Sequence, residues 1–143
     1  MRRGFSLIEL MVVLAVIGLM LLTVPKFVAG MPGVRLRAAA DDIVGTLRQL
    51  HETAIRRQIT TGLWLDPQAR TYRLSTAAGT QALPPIVTSV GVATVAFHPD
   101  ERIAHILFFA DGSATGGTIR LQHADLRASI RVDWLTGRVG RGD

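Results

Sequence analysis

Residues 4–22 read GFSLIELMVVLAVIGLMLL, an apolar run in which Glu9 is the one ionisable residue. The apolar character extends to Val24, so residues 5–24 number about 20, and a helix of that length spans roughly 30 Å of hydrocarbon. A carboxylate facing lipid is unfavourable by about 2.5 to 3.5 kcal/mol at the bilayer centre, and such groups are generally paired. The segment therefore predicts a membrane helix whose acid has a specific partner.

Charges on either side of this segment predict its orientation. Arg2 and Arg3 precede it, and Lys26 follows it. Because positively charged flanks stay on the cytoplasmic side, the N-terminus is expected in the cytoplasm and the chain after Val24 outside it, with Lys26 making the contrast modest.

Two ordinary interpretations of the segment leave Glu9 unexplained. The first is a cleaved secretory signal, with residues 10–22 as its hydrophobic region and residues 28–30 (VAG) as its cleavage site. The second is a permanent anchor without further processing. Neither interpretation gives the carboxylate a partner.

A third interpretation follows from the Gly4-Phe5 junction and the position of Glu9. A short basic leader ending in glycine, then phenylalanine, then a hydrophobic helix with one early glutamate resembles the class III signal of type IV pilins and type II secretion pseudopilins. The resemblance implies that a prepilin peptidase removes residues 1–4 as a leader peptide and N-methylates the new amine of Phe5. The helix is then retained, within a transmembrane and assembly segment over residues 5–33.

Under this interpretation Glu9 acquires a partner. Cleavage creates an α-amine at Phe5, a group whose unperturbed pKa is about 7.7 to 8.0. In a helical filament the amine of one subunit can meet the carboxylate of the next, which fixes the register because a slipped subunit leaves both charges unpaired. Glu9 is therefore predicted to be a subunit-docking residue.

Gly18 and Pro25 are predicted weak points of this helix. Proline removes one backbone hydrogen bond, and glycine has a low helix propensity. We expect either a static kink or local melting between the two residues in an assembled filament. Residues 30–33 (GMPG) form a second break that could act as a hinge.

From residue 34 the spacing of apolar residues becomes that of an amphipathic helix. Apolar side chains recur every three or four positions as far as Ile55, with charged residues mostly between them. This pattern predicts a helix over residues 34–58 with one buried face.

After residue 58 the apolar period drops to two, which predicts an antiparallel sheet with a hairpin turn at residues 66–69 and a loop at residues 75–85. Trp64 and Trp134 are expected in the core or at the rim of this sheet. The predicted class is α+β, a long N-terminal helix followed by an antiparallel head over residues 34–143. The expected strands cover residues 60–65, 70–74, 86–90, 92–97, 103–109, 118–122 and 129–135.

Two stretches of the head carry a second resemblance. Residues 106–119 (ILFFADGSATGGTI) and 132–139 (VDWLTGRV) resemble the H-type minor pseudopilins and their pilus relatives of the FimT kind. The resemblance implies a type IV pilin-like fold and a structural subunit near the tip of a type II secretion pseudopilus, which supports export of folded proteins across the outer membrane.

The same resemblance implies a place in the cell and a set of partners. The chain is expected to be a single-pass protein of the bacterial inner membrane, with its N-terminus cytoplasmic and its head periplasmic. The implied partners are the prepilin peptidase, the inner-membrane assembly platform and other major and minor pseudopilins.

The glycine-rich part of the first stretch is predicted to be a β-hairpin turn. It lacks the lysine of a phosphate-binding loop, and a strand rather than a helix follows it. Asp111-Gly112 and Gly116-Gly117 supply the positive-φ positions that a tight connection needs. The functional alternative is a contact loop against a neighbouring subunit, since loops often carry binding residues.

No pattern in the sequence favours an enzyme. Cysteine is absent, and His51-Glu52 lacks the second histidine of a metalloprotease helix, because Ile55 stands in its place. The other three histidines show no ligand spacing, so we expect neither a metal nor a cofactor, and we expect the histidines to be surface or core residues.

The net charge of +5 is weak support for a nucleic-acid partner, because arginines are spread along the chain among acids. Nucleic acid is not an expected partner. The alternative function is a minor pilin of a type IV pilus that binds incoming DNA, with Arg138 and Arg141 as phosphate contacts. A soluble binding domain remains a third class only if residues 5–24 are removed.

Overall fold

The computed structural model describes residues 7–29, 31–93 and 103–142, with the side chains of residues 21–29 excepted. The chain divides into two compact units, one up to Arg35 and one from Leu36 onwards. The predicted processing site, Gly4 and Phe5, and residues 94–97 of a predicted strand lie outside the described residues.

The first unit contains helix α1, Leu7–Ala29. Its described side chains, residues 7–20, are exposed, and Glu9 lies among them in the first turn, where a carboxylate interacts favourably with the helix macrodipole. Within the part of the chain that the structure describes, no helix combines the length and the apolar character needed to cross a bilayer. The membrane-spanning segment predicted from the sequence begins at Phe5, which is not among the described residues, and it stays a prediction.

Helix α1 continues through both Gly18 and Pro25. Neither residue ends the helix in the single chain, because a proline removes one backbone hydrogen bond of a 23-residue helix and leaves the bonds of the remaining turns. Melting between the two residues concerns the assembled filament and stays a prediction.

Helix α2, Pro32–Arg57, confirms the amphipathic helix predicted for residues 34–58. Pro32 is its first residue, a position where proline needs no hydrogen-bond partner and has a suitable φ angle. The helix ends in a Schellman motif: Gln58 has a φ of 55° and Ile59 N donates to Ala54 O at 3.2 Å. The buried face of α2 consists of Leu36, Ala39, Ala40, Ile43, Val44, Leu47, Leu50 and Ala54.

Eight strands within the described residues form two antiparallel four-stranded sheets, which corrects the prediction of one sheet. The first sheet has the order β3-β2-β1-β5, and the second has the order β4-β6-β7-β8. Hydrophobic periodicity predicts strands but not which strands pair, so the division was not visible in the sequence. The strands are β1 Thr61–Asp66, β2 Thr71–Leu74, β3 Thr80–Ala82, β4 Ser89–Ala93, β5 Ala104–Phe108, β6 Gly117–His123, β7 Leu126–Val132 and β8 Val139–Gly142.

The turn between β1 and β2 confirms the hairpin predicted at residues 66–69. The Oδ1 atom of Asp66 accepts hydrogen bonds from Gln68 N and Ala69 N, each at 2.9 Å. Leu63 to Asp66 pair with Leu74 to Thr71 in antiparallel register. A side-chain acceptor two and three residues upstream holds the turn without help from distant parts of the chain.

Several predicted strand limits are wrong. The predicted loop at residues 75–85 contains β3, and β4 begins at Ser89 rather than at residue 86. The strand predicted over residues 129–135 ends at Val132 because Asp133 starts a turn. Strand β8 was not predicted, since its two glycines hide the strand pattern.

The core of the second unit combines the buried face of α2 with the inward side chains of both sheets. Each fully buried leucine, isoleucine or phenylalanine, such as Leu47, Ile106 and Phe108, contributes about 1.5 to 3 kcal/mol. Thr61 is the one buried polar residue of the described chain, and its Oγ1 donates to Leu50 O at 2.8 Å. That bond joins β1 to α2 without leaving an unpaired hydroxyl.

Candidate functional site

The predicted contact loop begins with a tight reversal after β5. Phe109 N donates to Ser113 O at 2.9 Å, and Gly112 N donates to Phe109 O at 3.1 Å. The Oδ1 atom of Asp111 accepts from Ser113 N at 2.9 Å and from Ser113 Oγ at 2.6 Å. The Ser113 hydroxyl, then its N–H, holds the pKa of Asp111 below its ordinary value.

This loop is not the turn of a β5-β6 hairpin, which corrects that prediction. Strand β5 pairs with β1, whereas β6 pairs with β4 and β7, so the loop carries the chain from the first sheet to the second. A single antiparallel bridge, Phe108 with Ala114, is the hairpin-like part. The predicted positive-φ glycines are confirmed, at 88° for Gly112, 71° for Gly116 and 145° for Gly117.

A second turn, Asp133 to Arg138, follows β7. The Oδ1 atom of Asp133 accepts from Leu135 N at 3.1 Å, Thr136 N at 2.8 Å and Thr136 Oγ1 at 2.8 Å. Gly137 N donates to Asp133 O at 3.0 Å, and Asp133 N donates to Arg138 O at 2.9 Å. The Thr136 N–H, then its hydroxyl, lowers the pKa of Asp133.

Trp134 and Leu135 project from this second turn into solvent, with exposed fractions of 65% and 63%. The expectation that Trp134 lies in the core or rim of the sheet is therefore wrong, because the Asp133 turn removes it from the strand. The exposed indole of Trp134 is a candidate partner contact, since tryptophan is enriched in binding hot spots.

The two turns contact each other. Ala114 N donates to Trp134 O at 2.8 Å. Gly116 lies so close that a Cβ placed on it would be 2.8 Å from the Trp134 Cβ, which leaves no space for a larger residue. The loop from Asp111 to Gly117 and the turn from Asp133 to Arg138 are thus one surface, which we name the paired loops.

Helix α2 contacts the paired loops through His51. Its Nε2 lies 2.9 Å from Gly112 O, and because a carbonyl only accepts, Nε2 carries the proton and donates. The ring also lies 5.5 Å from the Phe108 ring, centroid to centroid. The contact of His51 with Gly112 and Phe108 was not predicted. The only indication of it in the sequence was that His51 precedes Ile55 by about one turn of the helix.

Ile55 itself is 41% exposed rather than fully buried as its helical spacing predicted. Its Cδ1 lies 3.6 Å from the point where Gly112 would carry a Cβ. Ile55 therefore covers the first of the paired loops instead of the core.

A second tie between α2 and the last strand runs through Arg48. Its Nε and one terminal guanidinium nitrogen donate to Val139 O, at 3.2 and 2.9 Å. Arg141 on β8 forms an exposed ion pair with Asp41 of α2 at 3.5 Å. Arg48 thus fixes the chain directly after the paired loops.

The two residues proposed for DNA contact are exposed but differ in their surroundings. Arg138 lies at the end of the Asp133 turn, and Arg141 already has Asp41 as its partner.

Among the described residues, no group of three or more histidine, aspartate and glutamate side chains could hold a metal ion.

The lowered pKa of Asp133 predicts a pH dependence of stability. A group whose folded-state pKa lies below its unfolded value, about 3.9, stabilises the fold fully above that value and loses this contribution as the pH falls through the folded-state pKa. Asp133→Asn is therefore expected to destabilise the protein more at pH 7 than at pH 3. Denaturant unfolding of wild type and variant at both pH values measures this, and an equal difference at both would contradict it.

Comparisons with solved structures define the fold. The minor pseudopilin EpsH from the type 2 secretion system of Vibrio cholerae matches with a TM-score of 0.58 and 14% identity, over 75% of this chain and 95% of that one. The type IV minor pilin FimU of Pseudomonas aeruginosa matches with a TM-score of 0.54 and 12% identity, over 76% and 89%. The chain has a type IV pilin-like fold, as predicted.

Sequence comparisons then give the family. A model described as prokaryotic N-terminal methylation motif matches residues 1–25, and one described as type II transport protein GspH matches residues 39–137. Type II secretion system protein H of Xanthomonas campestris pv. campestris is 35% identical over 144 residues, 98% of this chain and 83% of the relative. The chain belongs to the GspH family, whose members are structural, membrane-anchored pseudopilins, and the predicted resemblance is confirmed.

Proposed function

We propose that this chain is a minor pseudopilin near the tip of a type II secretion pseudopilus, where it supports export of folded proteins across the outer membrane. The observation that carries the proposal is the family match over residues 39–137, which includes nearly all of the paired loops. The relative with 35% identity, a type II secretion system protein H, supports the same system.

The N-terminal segment would enter the filament after processing. A prepilin peptidase would cut between Gly4 and Phe5 and methylate the new amine, and the inner-membrane assembly platform would receive the mature subunit. The methylation motif at residues 1–25 supports this step. The chain would cross the inner membrane once, with its N-terminus cytoplasmic and its head periplasmic, and Glu9 would neutralise the amine of a neighbouring subunit.

The head would act without catalysis, through contacts with other major and minor pseudopilins. The paired loops suit such a contact because their backbone is fixed by the Asp111 and Asp133 carboxylates before a partner arrives. A preorganised surface loses little conformational freedom on binding, and Trp134 supplies the large aromatic side chain that is frequent in binding hot spots.

Export in a strain that lacks this gene tests the proposed function. We expect folded exoproteins to accumulate in the periplasm and the wild-type gene to restore them in the medium. Mass spectrometry of the restored protein should show an N-terminus at N-methylated Phe5. Normal export without the gene would contradict the proposed function, and cleavage near residue 30 would contradict the proposed processing.

A further inference from the structure

The outer face of the second sheet carries three arginines. In the middle of β6 and in the second half of β7, buried residues alternate with residues that face away from the core. Arg120 on β6 and Arg127 and Arg131 on β7 all lie on this outward side and are exposed. These three side chains form the arginine face.

The register of β6 and β7 sets the spacing of the arginine face. Arg120 is the partner of Ser129, which lies midway between Arg127 and Arg131 on the neighbouring strand. Residues four apart on one strand are separated by roughly 13 Å, and diagonal neighbours across two strands by about 7 to 8 Å. The Cα atoms of the three arginines therefore follow the strand direction in two steps of similar length.

Within the described part of the chain, no acid forms an ion pair with the arginine face. None of the three arginines has an ion-pair or hydrogen-bond partner among the described residues, since the one ion pair there is Arg141 with Asp41. Asp125 and Asp133 lie in the turns at the two ends of β7, and Asp133 is held by its own turn. The arginine face is thus a basic surface without an internal partner in these ranges.

The residues around the arginine face are small or uncharged. They leave a groove of about 650 Å³ lined in part by Gln122, Ser129 and Gly142, where Ser129 Oγ donates to Gly142 O at 2.9 Å. Gly91 lies beside Arg120 on the neighbouring strand. Without bulky side chains beside the arginines, an extended backbone can approach the sheet closely.

We propose that the arginine face binds an extended acidic segment of a partner protein, with carboxylates on alternate residues. Alternate side chains of an extended strand lie on one side and are about 6.6 to 6.8 Å apart, close to the diagonal spacing of the arginines. The planar guanidinium group pairs with a carboxylate through two parallel hydrogen bonds. The charge of the arginine face and the spacing of its residues therefore both favour an extended acidic segment.

Two other anionic occupants fit the arginine face less well. Proteins that bind single-stranded nucleic acid add aromatic side chains for base stacking, and none of the outward positions of β4, β6, β7 and β8 is aromatic. Interfacial membrane binding needs large apolar side chains that enter the lipid, and these positions have none. The arginine face shares no residue with the paired loops, so its test can fail without contradicting the proposed function.

Peptide binding to the full chain in detergent tests the inference. The probe is a fluorescein-labelled peptide, Ser-Glu-Thr-Glu-Thr-Glu-Ser, titrated at low salt. We expect the double variant Arg120→Gln, Arg131→Gln to bind about tenfold more weakly, because two exposed charge-assisted pairs are lost. Arg37→Gln on α2 removes an exposed arginine elsewhere and should stay within about twofold of wild type.

Two further probes decide the chemistry of the partner. A peptide of the same composition with its three glutamates adjacent should bind at least about threefold more weakly, because its middle carboxylate lies on the opposite side of the strand and only two can face the arginines. The inference is overturned if the double variant keeps wild-type affinity for the spaced peptide. It is equally overturned if a single-stranded oligonucleotide or phosphatidylglycerol vesicles bind the arginine face more tightly than that peptide does.

Discussion

Glu9→Leu is expected to abolish incorporation of the protein into the filament, with a loss of export to the level of a strain without the gene. In the docking that we propose, the leucine leaves the methylated amine of Phe5 on the neighbouring subunit as an unpaired charge in an apolar helix bundle. Removing one partner of a buried ion pair destabilises by about 3 to 5 kcal/mol, which corresponds to a loss of more than a hundredfold in assembly equilibrium. The amount of the variant in sheared filaments measures incorporation. The amount of exoprotein in the culture medium measures export.

The matched control for Glu9→Leu is Glu52→Leu, which removes an exposed acid from α2 and should leave assembly unchanged. Mass spectrometry should show that the Glu9→Leu protein is still cut before Phe5, which separates assembly from processing. Wild-type export by Glu9→Leu would disprove the docking role.

Gly137→Ala is expected to destabilise the head by about 2 to 5 kcal/mol. Gly137 has a φ of 61°, and a Cβ there would overlap the His51 ring and the Gly112 carbonyl oxygen. Neither group can move freely, because Gly112 O belongs to the backbone and His51 is hydrogen-bonded to it. Denaturant unfolding of the full chain in detergent measures the change.

Two other glycines separate backbone strain from steric overlap. Gly79 has a φ of 91° but nothing within 4 Å of the position that a methyl group would take, so Gly79→Ala should show only the strain, about 1 kcal/mol. Gly140 has neither feature, and Gly140→Ala should change stability by about 0.5 kcal/mol or less. If Gly137→Ala were no worse than Gly79→Ala, the contact between His51 and the paired loops would not be rigid.

Local patterns in the sequence were sufficient for much of the fold. The 3.6-residue periodicity gave helix α2 nearly to its limits, and the sequence at residues 66–69 gave the β1-β2 hairpin, whose hydrogen bonds reach two or three residues. The positive φ of Gly112 and Gly116 also follows from local turn chemistry.

Contacts between residues far apart in the sequence could not be predicted from such local patterns. His51 and Gly112 are separated by 61 positions, and Arg48 and Val139 by 91, so no local rule joins them. The division into two sheets likewise depends on which strand reaches which neighbour. For the same reason the sequence suggested one contact loop, whereas the structure joins it to the Asp133 turn.

The Asp133 turn keeps its shape through side chains other than the two it displays. Its hydrogen bonds use Asp133, Thr136 and backbone atoms, and none uses the side chains of Trp134 or Leu135. These two positions can therefore be exchanged for other residues while the scaffold beneath them persists. In the contact that we propose, a change of neighbouring subunit would need substitutions at these two positions and no change in the rest of the turn.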